Sequence, residues 1–476
     1  MMGTMKRAAV AVLTSLAGAG CGAHSTDVRV ADKPLPSAFE AASSGPSIGN
    51  VSWRAYFADE QLNQLIGSAL RANPDLQMAL QRIEMARAVV RQRSGALLPQ
   101  VSGVAGAGVQ KVGRYTTEGA GNATTEITPG RAVPTHVTDL SLGFESSWEV
   151  DLWGKLRSQR DASLARYLAS IEGRNLVVTG LVADIATAYF DLLALDQTLD
   201  VLTQTAIRQK EALDVVRVQK EAGRANELAV QQFEAQLLTT RALEAQTLND
   251  TQQLENLINL LRGSYPQPVP RSKPALLKEV ATTIATGVPS GLLRSRPDIR
   301  EAELQVQAAK CDLRAARAAF FPSLNISAGV GYQAFNPKYL FYTPESLVYS
   351  ASAGLIAPLV NRSGIEADFS AAKAAQIEAM YNYQKVVLSA FVEVQNGLSR
   401  LASSAAIVAL KKAQKQAVQQ TVEIADTLYR AGKATYFEVL IAQQNTLSAE
   451  LELVEAIKDR HRASIATYKA LGGGWR

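Results

Sequence analysis

Arg296-Pro-Asp-Ile-Arg-Glu-Ala-Glu-Leu304, read on through Phe321-Pro-Ser-Leu-Asn-Ile326, decides how the chain is organised. Pro297 suits the first position of a helix, and Asp298 suits the positive end of its dipole. From Ile299 to Phe320 the run is rich in Ala, Arg, Glu and Gln, which predicts a helix. At Pro322 the period changes. Leu324, Ile326, Ala328, Val330 and Tyr332 alternate with Ser323, Asn325, Ser327, Gly329 and Gly331, the pattern of a strand with one apolar face. The same order occurs upstream as Asn73-Pro74-Asp75, a helical run, then Leu98-Pro99-Gln-Val101 and a strand of Gly, Ala, Val and Ser. Pro74 and Pro297 are about 223 residues apart, as are Pro99 and Pro322, and one offset shared by two landmarks predicts an internal duplication.

Composition narrows the class. Aromatic residues are 6% and charged residues 20% of the 476, with abundant Ala, Gln and Leu, which suits long helices better than a dense globular core. A net charge of +5, with no basic cluster interleaved with aromatics, gives nucleic-acid binding no support. Lys6-Arg7 followed by the short apolar run Ala8 to Ala19 reads as an export signal over 1–20, too short to remain as a bilayer-spanning helix. Cys21 stands directly after it, where a bacterial lipoprotein carries its acylated cysteine. The residues before it are Gly18-Ala19-Gly20, and the nearest leucine is Leu16 rather than one three positions upstream. Cys311, the other cysteine, falls mid-helix, so no disulfide framework is expected. Residues 21–52 read as an extended, acylated leader rich in Pro, Ser, Ala and Gly.

The first repeat is expected over 53–262, with strands at about 100–112 and 139–151. In the second of these, Leu140, Leu142, Phe144, Trp148 and Val150 share one face, while Ser141, Gly143, Glu145, Ser147 and Glu149 share the other. Alternation of this kind fits a membrane barrel strand and equally an amphipathic hairpin on a soluble core. Gly113 to Val137 reads as loop. From Lys155 to about Glu221 there is no proline, and at 1.5 Å per residue this would be about 100 Å of helix. Its mean polarity argues against a membrane helix, and its length against a compact domain. Ala222-Gly223-Arg224 stops it, Asn226 is a suitable N-cap, and a return helix closes a hairpin over 155–262. A proline-rich linker over 263–290 leads into the second repeat, 291–476, with strands at about 322–333 and 347–358. Its helical hairpin, 364–471, turns at Gly432.

No catalytic or metal-binding constellation is present. His24, His136 and His461 are isolated, no Gly-rich phosphate loop follows a strand, and helix-face carboxylates beside Lys or Arg read as solvated pairs. An enzyme is not expected, nor a cofactor beyond a lipid on Cys21. Met78, Met85 and Met380 are too few and too dispersed for a methionine-lined copper path. Four barrel-like strands cannot close alone, so the chain must oligomerise or carry a soluble sheet.

Three motifs carry a family resemblance: Arg296-Pro-Asp-Ile-Arg-x-Ala-Glu with Ala-Ala-x-Phe-Pro-Ser-Leu324, Trp148-Glu-Val-Asp-Leu-Trp-Gly-Lys-Leu-Arg157, and Tyr429-Arg-Ala-Gly-Lys433 ending in Glu438-Val-Leu440. From about residue 50 to the C-terminus the chain resembles the TolC-like outer-membrane factors, specifically the lipoprotein subgroup that serves efflux pumps. The resemblance implies a mainly α fold with a transmembrane β part: a homotrimer with a 12-stranded β-barrel continued by a periplasmic α-helical barrel. It implies a passive efflux channel in outer-membrane lipid, whose partners are a periplasmic adaptor protein and an inner-membrane pump. Gly223, Arg224, Gly432 and Lys433 would form the hairpin tips that meet the adaptor, and Tyr429 and Glu438 the periplasmic gate. The chain departs from the family pattern at Ile441, where a second acid is usual, and at Ala229, the first-acid position of the first hairpin. A lipid-anchored periplasmic coiled-coil protein without a pore is the alternative reading.

Overall fold

The computed structural model describes residues 25–31, 33–39, 47–278, 285–360 and 362–476, so the export signal and Cys21 lie outside the described residues. Helix α1 (Glu60–Ala72) precedes two copies of one series: a 22-residue helix, two long strands and a helical hairpin. In the first copy these are α2 (Pro74–Gly95), β1 (Gln100–Lys111), β2 (His136–Val150), α3 (Lys155–Glu221) and α4 (Glu227–Leu261). In the second they are α5 (Pro297–Ala318), β3 (Ser323–Ala334), β4 (Leu347–Ile356), α6 (Ser363–Arg430) and α7 (Tyr436–Ala470). The outgoing hairpin helices have 67 and 68 residues and both return helices have 35. Such agreement in length supports the duplication inferred from proline spacing.

The stretch between β1 and β2, expected to be loop, contains a short helix, Thr117–Thr124, and a two-stranded hairpin at Glu126–Thr128 and Arg131–Ala132. Thr116 caps that helix by accepting from the Gly119 N–H, a local side-chain bond that composition alone conceals. Strand β2 starts at His136, earlier than expected, because the ladder with β1 continues up to the pair His136–Lys111.

Contacts divide the chain into two compact units, each drawing on both repeats. The first comprises residues 25–30, Met85–Tyr167 and Leu304–Met380. It holds one antiparallel meander in the order β1-β2-β3-β4. Val28 of the leader packs here with Leu313, Phe320 and Phe369.

The second unit comprises Ala31–Glu84, Leu168–Glu303 and Tyr381–Arg476. Its main core gathers Leu62 and Ile66 of α1, Tyr189 and Leu193 of α3, Ile258 of α4 and Tyr468 of α7. By composition, one window of α3 is apolar enough to cross a bilayer, contrary to the polarity read from the whole helix. Two-thirds of that window (67%) is buried within the protein, where it supplies this core. Arg271 ties the linker to the first hairpin, donating to both Asp196 oxygens (2.6 and 2.9 Å) and pairing with Glu255. Phe39 of the leader stacks on Phe391 at 5.2 Å, and Gln384 donates to the Ala31 carbonyl (2.6 Å), both on α6.

Candidate functional site

The sheet register decides which side chains share a face. Ser141, Glu145, Ser147 and Glu149 of β2 lie opposite Gly106, Ser102 and Gln100 of β1 and Gln333, Gly329, Ser327 and Asn325 of β3. Ser327 and Asn325 in turn face Ser352 and Gly354 of β4. Asp139 belongs to this face and accepts from Gln333 Nε2 (2.8 Å). The opposite face collects Leu142, Phe144, Trp148 and Val150 with Tyr332, Val330, Ile326 and Leu324, and then Leu347, Tyr349, Ala353 and Leu355. Two sequence-level alternations thus combine into one apolar and one polar surface. The apolar one is uncovered: Phe144 is 64% and Tyr349 83% exposed. At the centre, Gly143 and Gly331 are paired so closely that a Cβ on either would come within 2.6 Å of the neighbouring strand's backbone. Only glycine fits there.

The hairpin tips lie in the second unit and share one backbone. Gly223 (φ 72°) and Gly432 (φ 68°) adopt the left-handed conformation that a Cβ disfavours. The N–H of Gly223 bonds to the Lys220 carbonyl and that of Arg224 to Gln219, while Gly432 and Lys433 repeat this with Tyr429 and Leu428. These are helix-terminating bonds of the Schellman type. Arg224 and Lys433 are exposed, and neither forms an ion pair among the described residues.

Caps differ between the tips. Asn226 accepts from the Ala229 N–H (3.0 Å), and Ala229 is buried. Thr435 and Glu438 form a reciprocal capping box: Glu438 N–H donates to Thr435 Oγ1 (3.4 Å) and the carboxylate accepts from Thr435 N–H (2.6 Å). The Thr435 backbone N–H, with help from its hydroxyl, holds the Glu438 carboxyl below the usual glutamate range. Tyr429, half-buried against Val422, Ala425, Val439 and Ala442, donates its hydroxyl to Gln219 Oε1 of the first hairpin (2.6 Å). One turn or more away, Gln444 Nε2 donates to Gln236 Oε1 (2.6 Å) and Leu440 enters the cluster of Leu213, Val216 and Phe233. Arg430, close to Glu438 in sequence, pairs with Asp426 at 2.7 Å. Gln219 carried no sequence signal, since nothing in its neighbourhood announces a partner 210 residues away.

The other two motifs anchor rather than react. Arg296 is buried, grips Asp298 with Nε and Nη2 (3.0 and 2.6 Å), and donates Nη1 to Glu393 (2.7 Å) and the Ala470 carbonyl (3.0 Å). Burial works against its charge, but Asp298 and Glu393 outweigh it. The start of α5 is thereby tied to α6 and α7. Asp151 accepts from the Leu156 and Arg157 N–H groups (3.0 Å each) and pairs with the Arg157 side chain, which caps α3. Among the described residues, no group of His, Cys, Asp and Glu could hold a metal ion.

Comparison with known proteins gives a consistent picture. The chain matches the outer membrane efflux protein family over residues 65–264 and 288–473. It is 29% identical to the probable outer membrane lipoprotein SilC of Salmonella typhimurium, covering 96% of both chains. It is 31% identical to the pyoverdine export outer membrane protein OpmQ of Pseudomonas putida, covering 91% of this chain and 90% of that one. Among solved structures, the outer-membrane channel OprN superposes with a TM-score of 0.82 at 27% identity, covering 95% of this chain and all of the other.

Proposed function

Because the chain belongs to the outer membrane efflux protein family, we propose that it works as a homotrimeric, passive conduit in a tripartite exporter, fed from the periplasm by an adaptor protein and an inner-membrane pump. One observation carries this reading: a four-stranded meander with an uncovered apolar face, a polar face, and outer edges on β1 and β4 that have no strand partner among the described residues. Each unpaired backbone polar group in hydrocarbon costs several kcal/mol, so such a sheet enters lipid only if its edges are closed. Three copies supply the twelve strands of a closed barrel. The apolar face then meets lipid and the polar face lines a pore carrying Asp139, Glu145 and Glu149, with no Lys or Arg on the pore-facing strand positions.

Gly223, Arg224, Gly432 and Lys433 form the tips offered to the adaptor, and Tyr429 and Glu438 belong to the periplasmic gate. Cys21 carries the lipid anchor. Seven Cα–Cα steps separate it from Val28, a reach of at most about 25 Å, and Val28 packs beside Phe320, just before β3. One acyl chain binds marginally, so a stable anchor needs more than one. Mass spectrometry of the mature N-terminus tests this part, and a free Cys21 thiol on the membrane-purified protein would refute it. For the conduit, the purified protein should migrate as a heat-modifiable trimer and conduct ions in a planar bilayer. A detergent-soluble monomer without conductance would overturn the proposal.

A further inference from the structure

In the second unit Arg271, Arg296 and Arg462 each find a carboxylate within their own chain. Arg54, Arg71 and Arg262 form no such pair among the described residues, and all three line one open cleft of about 760 Å³ beside α1. Neutral groups set their positions instead. The Arg54 guanidinium lies 4.2 Å from the ring centroid of Trp53, itself buried in the core. Arg71 folds back along α1, so that a Cβ on Gly67 would lie 3.7 Å from its Nη1. Arg262, at the C-terminal end of α4, donates Nε to Ser68 Oγ (3.0 Å). Lys278 adds a fourth positive charge at the rim by donating to the Ala58 carbonyl (3.3 Å). Glu60 is the one carboxylate of the lining; it accepts from Gln64 Nε2 (3.3 Å) and leaves the cleft with an excess of positive charge.

We propose that this cleft binds an extended acidic segment of a periplasmic partner protein, with two carboxylates spaced two residues apart. A guanidinium meets a carboxylate through paired hydrogen bonds, and these three have no carboxylate of their own to give up first. Spacing selects the ligand. Arg71 and Arg262 are placed at the adjacent residues Gly67 and Ser68 and make one subsite. Arg54 makes the other, beside Asn63, whose Nδ2 donates to the Arg54 carbonyl (3.3 Å). From Asn63 to Ser68 is five residues, about 7.5 Å along a helix at 1.5 Å per residue. Side chains two residues apart on an extended chain share a face and stand about 7 Å apart. An Asp/Glu-x-Asp/Glu run thus reaches both subsites, whereas a single phosphate or sulfate reaches only one.

The inference takes from the proposed function only the periplasmic placement of the helices, and a binding measurement separates the two. The mature full-length protein in neutral detergent at low salt is titrated against the peptide Gly-Asp-Gly-Asp-Gly carrying an uncharged dye, with fluorescence anisotropy as the readout. Binding should saturate, should be weaker for Gly-Gly-Asp-Asp-Gly, and should vanish for Gly-Asn-Gly-Asn-Gly. Arg71→Gln and Arg262→Gln should each weaken it about fivefold, the value of one well-formed exposed charge pair, and the double variant should abolish it. Arg71→Lys, which keeps the charge but loses the fork, should fall between wild type and Arg71→Gln, and it serves if a glutamine variant fails to assemble. Absence of binding by the wild type, equal binding of the asparagine peptide, or binding unchanged in the double variant overturns the proposal. So does displacement by inorganic phosphate as effective as by unlabelled peptide, which would mark a site for any anion. Lost peptide binding with conductance intact refutes the cleft alone; peptide bound without conductance refutes the conduit alone.

Discussion

At the first hairpin tip Lys220 pairs with Glu227 across its own turn; at the second, Tyr429 occupies the position of Lys220 and reaches instead to Gln219 on the neighbouring hairpin. Backbone geometry is the same at both, with one left-handed glycine and one pair of terminating hydrogen bonds. At this position the first tip closes on its own hairpin, whereas the second, beside its internal capping box, adds a tie to the neighbouring hairpin. A turn closed by its own ion pair keeps its shape when a neighbour moves, whereas one tied to a neighbour reports that movement. Within the gate proposed above, this difference would give the second hairpin the releasable role.

The largest expected effect comes from cutting the external tie. Tyr429→Phe and Gln219→Ala should each raise single-channel conductance or open time several-fold in planar bilayers, while Lys220→Met leaves both unchanged. Equal effects at the two tips would break the comparison. Next in size, Glu438→Gln retains the capping box, which glutamine also makes, but removes the charge. It should leave trimer assembly intact while reducing cation selectivity and block by periplasmic divalent ions; Glu438→Ala should in addition fray the start of α7. Unchanged reversal potentials and block in Glu438→Gln would leave the carboxylate with its capping role alone.

Smaller effects sharpen the same contrast. Asn226→Ala and Thr435→Ala should each cost about 1 kcal/mol of local stability, read as faster hydrogen exchange at 227–233 or 436–442 respectively. Salt, unlike acid, should then separate the tips. Lys220, with Gln231, holds Glu227 below the ordinary glutamate range, as the Thr435 N–H and hydroxyl do Glu438. A lowered value in the fold stabilises above the ordinary glutamate value and is lost as pH falls through the lowered one. Both tips should loosen in acid. At neutral pH only the first should loosen in about 1 M salt, because an exposed ion pair is screened there and a hydrogen-bonded cap is not.

What could be read from the residues follows from the range of the physics. Leu324 to Tyr332 announced a strand because alternation is local, and Gly223, Asn226 and Gly432 announced turns because capping acts within a few residues. Thr116 was missed because its cap sits in a stretch of glycine and threonine that composition reads as loop. The tie from Tyr429 to Gln219, the grip of Arg296 on Glu393 and the Gly143–Gly331 pinch depend on tertiary neighbours, which no spacing reveals. Glu438 was legible as an acid near a tip, but its fold-back onto Thr435 was not.

The matched hairpins, 67 and 35 residues against 68 and 35, make the chain intolerant of unpaired insertions. One residue added to α3 advances everything beyond it by about 1.5 Å and turns it by about 100°, which would swing Gln219 off the face that Tyr429 meets. Length in these helices is thus under joint constraint. A gain in one arm is viable only when the other arm changes with it, whereas the loops beyond β1 and β3, 24 and 12 residues long, have been free to diverge.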